Sequence, residues 1–219
     1  MLRVAAFVSG GGTNLQAIID AQNSGIIRDA KVELVISNVA GAYALERAEK
    51  AGIKTALIRK KDFENAAQWE EALVKELKDN KIDLVVLAGF LSILSENFIK
   101  QFPNKIINVH PSLIPSFCGD GMYGLKVHEA ALAKGVKVTG ATVHYVNEIV
   151  DGGEIIAQKA VEVLRGDTPE VLQKRVMEKA EWIILPRAIQ TIAEDAALSA
   201  AVQGTTCMRR NPHATDALH

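Results

Sequence analysis

The sequence predicts an α/β fold, a mostly parallel twisted sheet flanked by helices in the Rossmann-like manner, with an antiparallel addition toward its C-terminal end. Three observations carry this expectation. Apolar strand-like runs alternate four times with helical spacings over the first hundred or so residues, the pattern of right-handed βαβ units. The runs at 4–8 and 82–88 are almost continuously apolar, as strands are when helices cover both faces of the sheet. Two later strand patterns, 138–146 and 154–164, are separated only by the turn at 147–153 and read as a hairpin.

Composition bounds the rest. The chain has 219 residues, 48% of them hydrophobic, which is ordinary for a globular protein with a real core. Lys plus Arg at 25 against Asp plus Glu at 26 leave a net charge of -1, so no bulk basic field points to nucleic acid or an anionic membrane. Any anion site is local. Cys118 and Cys207 allow at most one bridge and show no metal-ligand spacing, which fits a reducing cytoplasm. No run approaches the ~18 apolar residues of a membrane span. No internal repeat or linker is visible, so a single domain over 1–195 is expected, followed by a peripheral or mobile tail over 196–219.

The elements follow in order. A strand at 4–8 meets Ser9-Gly10-Gly11-Gly12-Thr13-Asn14, which opens a helix at about 15–21. Strand, glycine turn and helix together place free N–H groups around an anion. The dinucleotide fingerprint fails because Leu15 holds the position of its third glycine, and no lysine follows as in a triphosphate loop. The turn reads as a monophosphate cradle through Gly12, Thr13 and Asn14, or else as a tight turn with no ligand. A strand at 32–36 precedes a helix at 43–51 stopped by Gly52, and a short strand at 55–58 leads to Arg59-Lys60-Lys61. That basic patch is either a solvated loop or a contact for a carboxylated ligand.

Helical spacing through Ala66, Trp69, Leu73 and Leu77 predicts a helix over 65–78, with Trp69 in the core. Gly89-Phe90-Leu91-Ser92-Ile93-Leu94 then leaves the carboxyl end of the 82–88 strand, either capping the core or walling a pocket for a flat heterocycle. A short helix near 96–101 precedes the strand that ends in Asn108-Val109-His110-Pro111, where proline stops the ladder. Residues two apart in a strand share a face, so Asn108 and His110 present an amide and an imidazole together at a carboxyl end, where open α/β sheets bind ligands. After a loop at 116–125 with three glycines, a helix is expected at 128–134. Thr168-Pro169 caps a long helix with an apolar stripe from Leu172 to Ile192, expected to kink at Pro186 and to lose its pattern from about Ala196.

Asn108, His110 and Asp151 offer a neutral donor, a titratable base and a carboxylate, although Asp151 before two glycines is also an ordinary turn former. No nucleophile elbow is present, which disfavours an acyl-enzyme. Direct acyl transfer between two bound substrates fits, because its tetrahedral intermediate needs an oxyanion donor and a proton shuttle. An amide donor is worth roughly 3–4 kcal/mol there and a placed imidazole ~10²–10⁴-fold. Holding both substrates together contributes up to roughly 7–11 kcal/mol.

Four stretches in this order, Ser9 to Gln16, Leu87-Ala88-Gly89-Phe90, Asn108 to Pro115 and Val150-Asp151-Gly152-Gly153, resemble the phosphoribosylglycinamide formyltransferases of the folate-dependent formyltransferase family. The resemblance runs over about 2–195. It implies formyl transfer from 10-formyltetrahydrofolate, a cosubstrate, to the amine of a phosphoribosylated glycinamide in purine synthesis, with no metal, no nucleic acid and no membrane partner, in a cytoplasmic monomer or weak homodimer. It also implies a phosphate-binding half over about 1–100 and a folate-binding half over about 101–195. On matching positions, Asn108, His110 and Asp151 form the catalytic group, His110 donating a proton with its pKa raised by Asp151. Gly12, Thr13 and Asn14 hold the substrate phosphate, and Glu181 meets the ribose hydroxyls. Leu91, Ser92, Ile93, Leu94, Asn108, Asn147 and Val150 wall the pterin pocket.

Three departures stand out. Ser92 sits where relatives often carry Arg, the 116–125 loop is longer, and no arginine stands near Asn65-Ala66 for the folate glutamate, a role left to Arg59, Lys60 or Lys61. The alternatives are a formyltetrahydrofolate hydrolase, which needs no phosphate cradle, and a non-catalytic nucleotide-binding module. A tRNA formyltransferase would need a further basic domain.

Overall fold

The structure is a computed structural model that describes residues 1–208, with side chains through Ala201. The far end of the expected tail, 209–219, and the thiol of Cys207 lie outside the described residues. The strands are β1 (Leu2–Val8), β2 (Ala30–Ser37), β3 (Lys54–Leu57), β4 (Leu84–Leu87), β5 (Ile106–His110), β6 (Val138–Tyr145) and β7 (Ile155–Glu162). They form one sheet in the order β3-β2-β1-β4-β5-β6-β7. The first five run parallel, and β6 and β7 are antiparallel to their neighbours, as the alternation and the hairpin pattern predict.

The helices are α1 (Thr13–Asn23), α2 (Tyr43–Lys50), α3 (Ala66–Asp79), α4 (Glu96–Ile99), α5 (Leu125–Lys134), α6 (Pro169–Val176) and α7 (Trp182–Met208). Caps explain several starts. Asn65 accepts the N–H of Gln68, Ser95 that of Phe98, and Thr168 that of Val171, each satisfying a donor the first turn leaves free.

The period-two pattern of β1 builds two cores. Val4, Ala6 and Val8 pack with Leu15, Ile18, Leu172, Val176 and Ile189, whereas Ala5 and Phe7 pack with Trp69, Leu73, Leu77 and Phe98 on the other face. Each fully buried Leu, Ile or Phe is worth roughly 1.5–3 kcal/mol. Trp69 is a core residue, as expected, and donates its indole N–H to the Ile58 carbonyl at 3.0 Å.

The C-terminal helix shows two features that the sequence pattern does not reveal. The helical run departs from α geometry a turn before Pro186, in a π segment at Met177–Glu181, while Pro186 lies inside α7. Wider turns of this kind relax the ladder and gather at functional positions. The helix also continues past Ala196 to Met208. Residues 196–201 are exposed, so alanine-rich propensity carries this part without an apolar stripe.

Order along the chain matters less for the site than one feature of the sheet. β1 and β4 are neighbours whose chains continue to opposite sides, which opens a crevice at their carboxyl ends. On the far side of that crevice β6 and β7 pack closely at Gly140, where an added Cβ would stand 2.1 Å from the Lys159 carbonyl oxygen and 2.8 Å from Leu113 Cδ2. Gly140→Ala is therefore expected to destabilise the fold by about 1–3 kcal/mol. Urea unfolding checks this, and a variant as stable as the parent would show that the two strands separate freely.

Candidate active site

The crevice holds a cavity of about 600 Å³. Thr13, Asn14 and Glu181 line one end, and Leu91, Ser92, Ile93, Leu94, Asn147 and Val150 the other, with Asn108, His110 and Asp151 between them. Of the catalytic, phosphate, ribose and pterin-pocket candidates only Gly12 is absent from the lining, and the basic candidates Arg59, Lys60 and Lys61 lie outside it as well. Gly12 is instead the N-cap of α1, at φ 71°, and an added Cβ would stand 2.6 Å from Ala44 Cβ. It lets the turn close against α2. No side chain caps α1, and none of the described residues takes up the amides of Thr13, Asn14 and Leu15, which leaves them to meet an anion.

Asn14 stands at the second position of α1. Its side chain turns inward, where Nδ2 donates to Glu181 Oε2 at 2.8 Å and Oδ1 is buried without a partner. Only its backbone remains with the glycine turn. Burial pushes the Glu181 carboxyl above its ordinary range, against the opposing hydrogen bond from Asn14.

At the centre, β5 presents Asn108 and His110 on one face, as its period of two dictates. His110 Nε2 lies 2.9 Å from the Phe117 carbonyl, so it carries a proton and donates it there. Its Nδ1 is 3.5 Å from Asp151 Oδ2. Both nitrogens thus face oxygen acceptors. The structure adds a residue the sequence reading missed, His144 of β6, directly opposite Asn108 in the antiparallel register. His144 Nδ1 donates to the Tyr145 carbonyl at 2.8 Å, leaving Nε2 at 3.3 Å from Asn108 Nδ2 and 3.5 Å from Asp151 Oδ1. Only the strand register could have revealed it, since His144 lies in no motif.

Asp151 is bridged by both imidazoles and also accepts the Gly119 N–H at 3.0 Å. Burial pushes its carboxyl up, but the hydrogen bonds from His144 and Gly119 and the two imidazoles prevail and hold it below its ordinary value. Its backbone is left-handed, at φ 54°, and the two glycines that follow are sterically required. A Cβ on Gly153 would fall 1.7 Å from the Tyr145 carbonyl oxygen, and one on Gly152 would fall 2.6 Å from the Ile149 side chain.

The apolar end is formed by loops with little to cover them. Leu91 is 67% exposed and Ile93 73%. Ser9 pins this loop, donating to Asn38 Oδ1 at 2.7 Å and accepting the Leu91 N–H at 2.9 Å, while Asn38 Nδ2 donates to Ser92 Oγ at 2.8 Å. Ser92 therefore joins a polar tie between β1, β2 and β4. Among the basic candidates, Arg59 is engaged by Asp62 in a two-pronged pair, and Lys60 lies 5.8 Å over the Trp69 ring.

Comparison with known proteins agrees with this geometry. Residues 2–189 match the family model described as formyl transferase. The chain belongs to the formyl transferase family. It is 42% identical over 194 residues to the phosphoribosylglycinamide formyltransferase of Haemophilus influenzae, covering 89% of this chain and 88% of that one. It is 46% identical over 194 residues to the human trifunctional purine biosynthetic protein adenosine-3, covering 87% of this chain but only 18% of that protein. The chain thus spans less than a fifth of the trifunctional relative. Glycinamide ribonucleotide transformylase 1 from Symbiobacterium toebii superposes with a TM-score of 0.83 at 42% identity, covering 89% of each chain.

One buried group of the chain stands apart. His128 of α5 lines the cavity, is fully buried, and has no partner on either ring nitrogen among the described residues. Burial, and next the nearby His110, lower its pKa from 6.5 to about 4. Because the unfolded chain then binds this proton more readily, stability falls as pH drops from 6.5 toward 4. Between pH 7 and pH 5 His128 should account for a loss on the order of 2 kcal/mol. Urea unfolding of the parent and His128→Leu at both pH values checks this, with the variant expected to lose correspondingly less. Equal losses in the two proteins would contradict it.

Proposed function

We propose that the chain transfers the formyl group of 10-formyltetrahydrofolate to the amine of N1-(5-phospho-D-ribosyl)glycinamide, a step of de novo purine synthesis. The observation that carries this reading is a single cavity joining free helix-start amides at one end, apolar loops at the other, and the Asn108, His110 and Asp151 group between them. The Haemophilus influenzae relative carries the same activity in its name and matches along nearly its whole length.

In this mechanism the phosphate sits on the amides of Thr13 and Asn14 after Gly12, and Glu181 receives the ribose hydroxyls. The pterin enters between Leu91 to Leu94 and Asn147 to Val150, with Ser92 and Asn108 at its edges. The glycinamide nitrogen attacks the formyl carbon, and the formyl oxygen takes the negative charge. That oxygen is met by the Asn108 amide and by the His110 N–H, for which it replaces the Phe117 carbonyl as acceptor. A proton then passes from the new C–N nitrogen to N10 of the folate, the C–N10 bond breaks, and tetrahydrofolate leaves. Asp151 holds His110 in place through the contact with its Nδ1. Holding the two substrates together supplies the largest share, up to roughly 7–11 kcal/mol.

Residues 1–195 act in this reading as one domain, the first hundred holding the phosphoribosyl substrate and the remainder the folate. Small molecules are the partners proposed, with no resident metal, for a cytoplasmic monomer or weak homodimer. No helix among the described residues is long and apolar enough to cross a membrane.

His110→Ala is expected to lower kcat by about 10²–10⁴-fold while leaving phosphoribosyl-substrate affinity near that of the parent. Steady-state kinetics with calorimetric binding checks both, and wild-type turnover would remove His110 from the mechanism. Deformylation of 10-formyltetrahydrofolate should also require the phosphoribosyl acceptor. Equal turnover without it would transfer the reading to a hydrolase.

A further inference from the structure

A second recess, of about 610 Å³, lies beside α1 and away from the catalytic group. Its walls are largely apolar: Ala17 and Ala21 from α1, Ile26 beyond its end, and Trp182, Ile183 and Pro186 from the start of α7. Ile26 is exposed, and the buried indole N–H of Trp182 has no hydrogen-bond partner among the described residues. Two guanidinium groups flank this surface, Arg47 from α2 and Arg187 from α7. Among the described residues neither lies within ion-pair distance of a carboxylate.

Arg47 is held by neutral acceptors alone. Its Nε donates to the Gly11 carbonyl at 2.8 Å, its Nη1 donates to Gln16 Oε1 at 2.9 Å, and it lies 4.9 Å over the Tyr43 ring. Asp20, the acidic group of the lining, instead accepts from Gln16 Nε2 at 2.9 Å. The recess therefore pairs uncovered apolar surface with a net positive lining, two guanidinium groups against one carboxylate.

We propose that this recess is a second ligand site, for a small organic anion with a flat apolar body and one phosphate, sulfonate or carboxylate head. The flat body would lie along Trp182, Ile183 and Pro186, removing apolar surface from water. The head would take charge-assisted hydrogen bonds from Arg187 and Arg47, which present planar donors suited to such oxygens. Asp20 disfavours a second anionic group on the same ligand. The site shares Thr13 with the active-site cavity, and Arg47 holds the Gly11 carbonyl of the glycine turn, so an occupant that draws Arg47 toward itself acts on the phosphate cradle. The assignment is independent of the formyl-transfer reading.

The test uses 8-anilinonaphthalene-1-sulfonate with the full chain, following quenching of tryptophan emission and the rise of probe emission. Saturable one-to-one binding is expected, and saturating phosphoribosylglycinamide and tetrahydrofolate together shift its affinity through Arg47 without abolishing it. Arg187→Glu and Ile183→Asp, which lie outside the catalytic group, are each expected to weaken it at least tenfold while basal formyl transfer is retained. Displacement of the probe by the two substrates would place it in the active-site cavity and overturn the proposal. Unchanged binding in both variants would overturn it as well. So would a response that falls as protein concentration rises, which would give the recess to a second copy of the chain.

Discussion

The site depends on one carboxylate. Asp151 sits in a turn and gathers four elements around it: His110 from β5, His144 from β6, Gly119 from the long loop, and its own glycine-rich segment. A buried anion of this kind is costly unless it is met by donors, and here every donor comes from a different stretch of chain. The carboxylate therefore draws the loop, the hairpin and the end of β5 into one arrangement. Its left-handed backbone and the tight packing of Gly152 and Gly153 show how little freedom the turn retains.

The sheet provides the second constraint. Parallel strands β1, β4 and β5 bring their carboxyl ends to one edge, and the neighbouring β1 and β4 send their chains apart. The glycine turn and the Phe90 loop then flank the same opening, tied together through Ser9, Asn38 and Ser92. A two-substrate reaction needs such an arrangement, with an anion grip and an apolar slot facing each other across fixed donors. Strands and helices set the distances, while the loops supply the surfaces.

Much of this was legible in the sequence because it is local. The near-continuous apolar runs marked the buried parallel strands, Thr168-Pro169 marked a helix start, and the spacing of Asn108 and His110 placed both on one face. What was not legible depends on partners distant in the chain. His144 becomes a site residue only because β6 pairs with β5 in a register that sets it opposite Asn108. The turn places the Asn14 backbone, but nothing local shows that its side chain donates to Glu181, 167 residues away. The π segment before Pro186 and the run of α7 to Met208 were likewise hidden, the first because it answers packing and the second because alanine propensity leaves no apolar stripe.

In the proposed mechanism the Asp151 charge, beyond its shape, holds the His110 imidazole in place. Asp151→Asn keeps the volume and the turn while removing that charge. Steady-state formyl transfer by this variant is the most direct measurement. A fall in kcat on the order of 10²-fold or more, with KM for the phosphoribosyl acceptor within a few-fold of the parent, is the predicted result. An unchanged kcat would contradict the account.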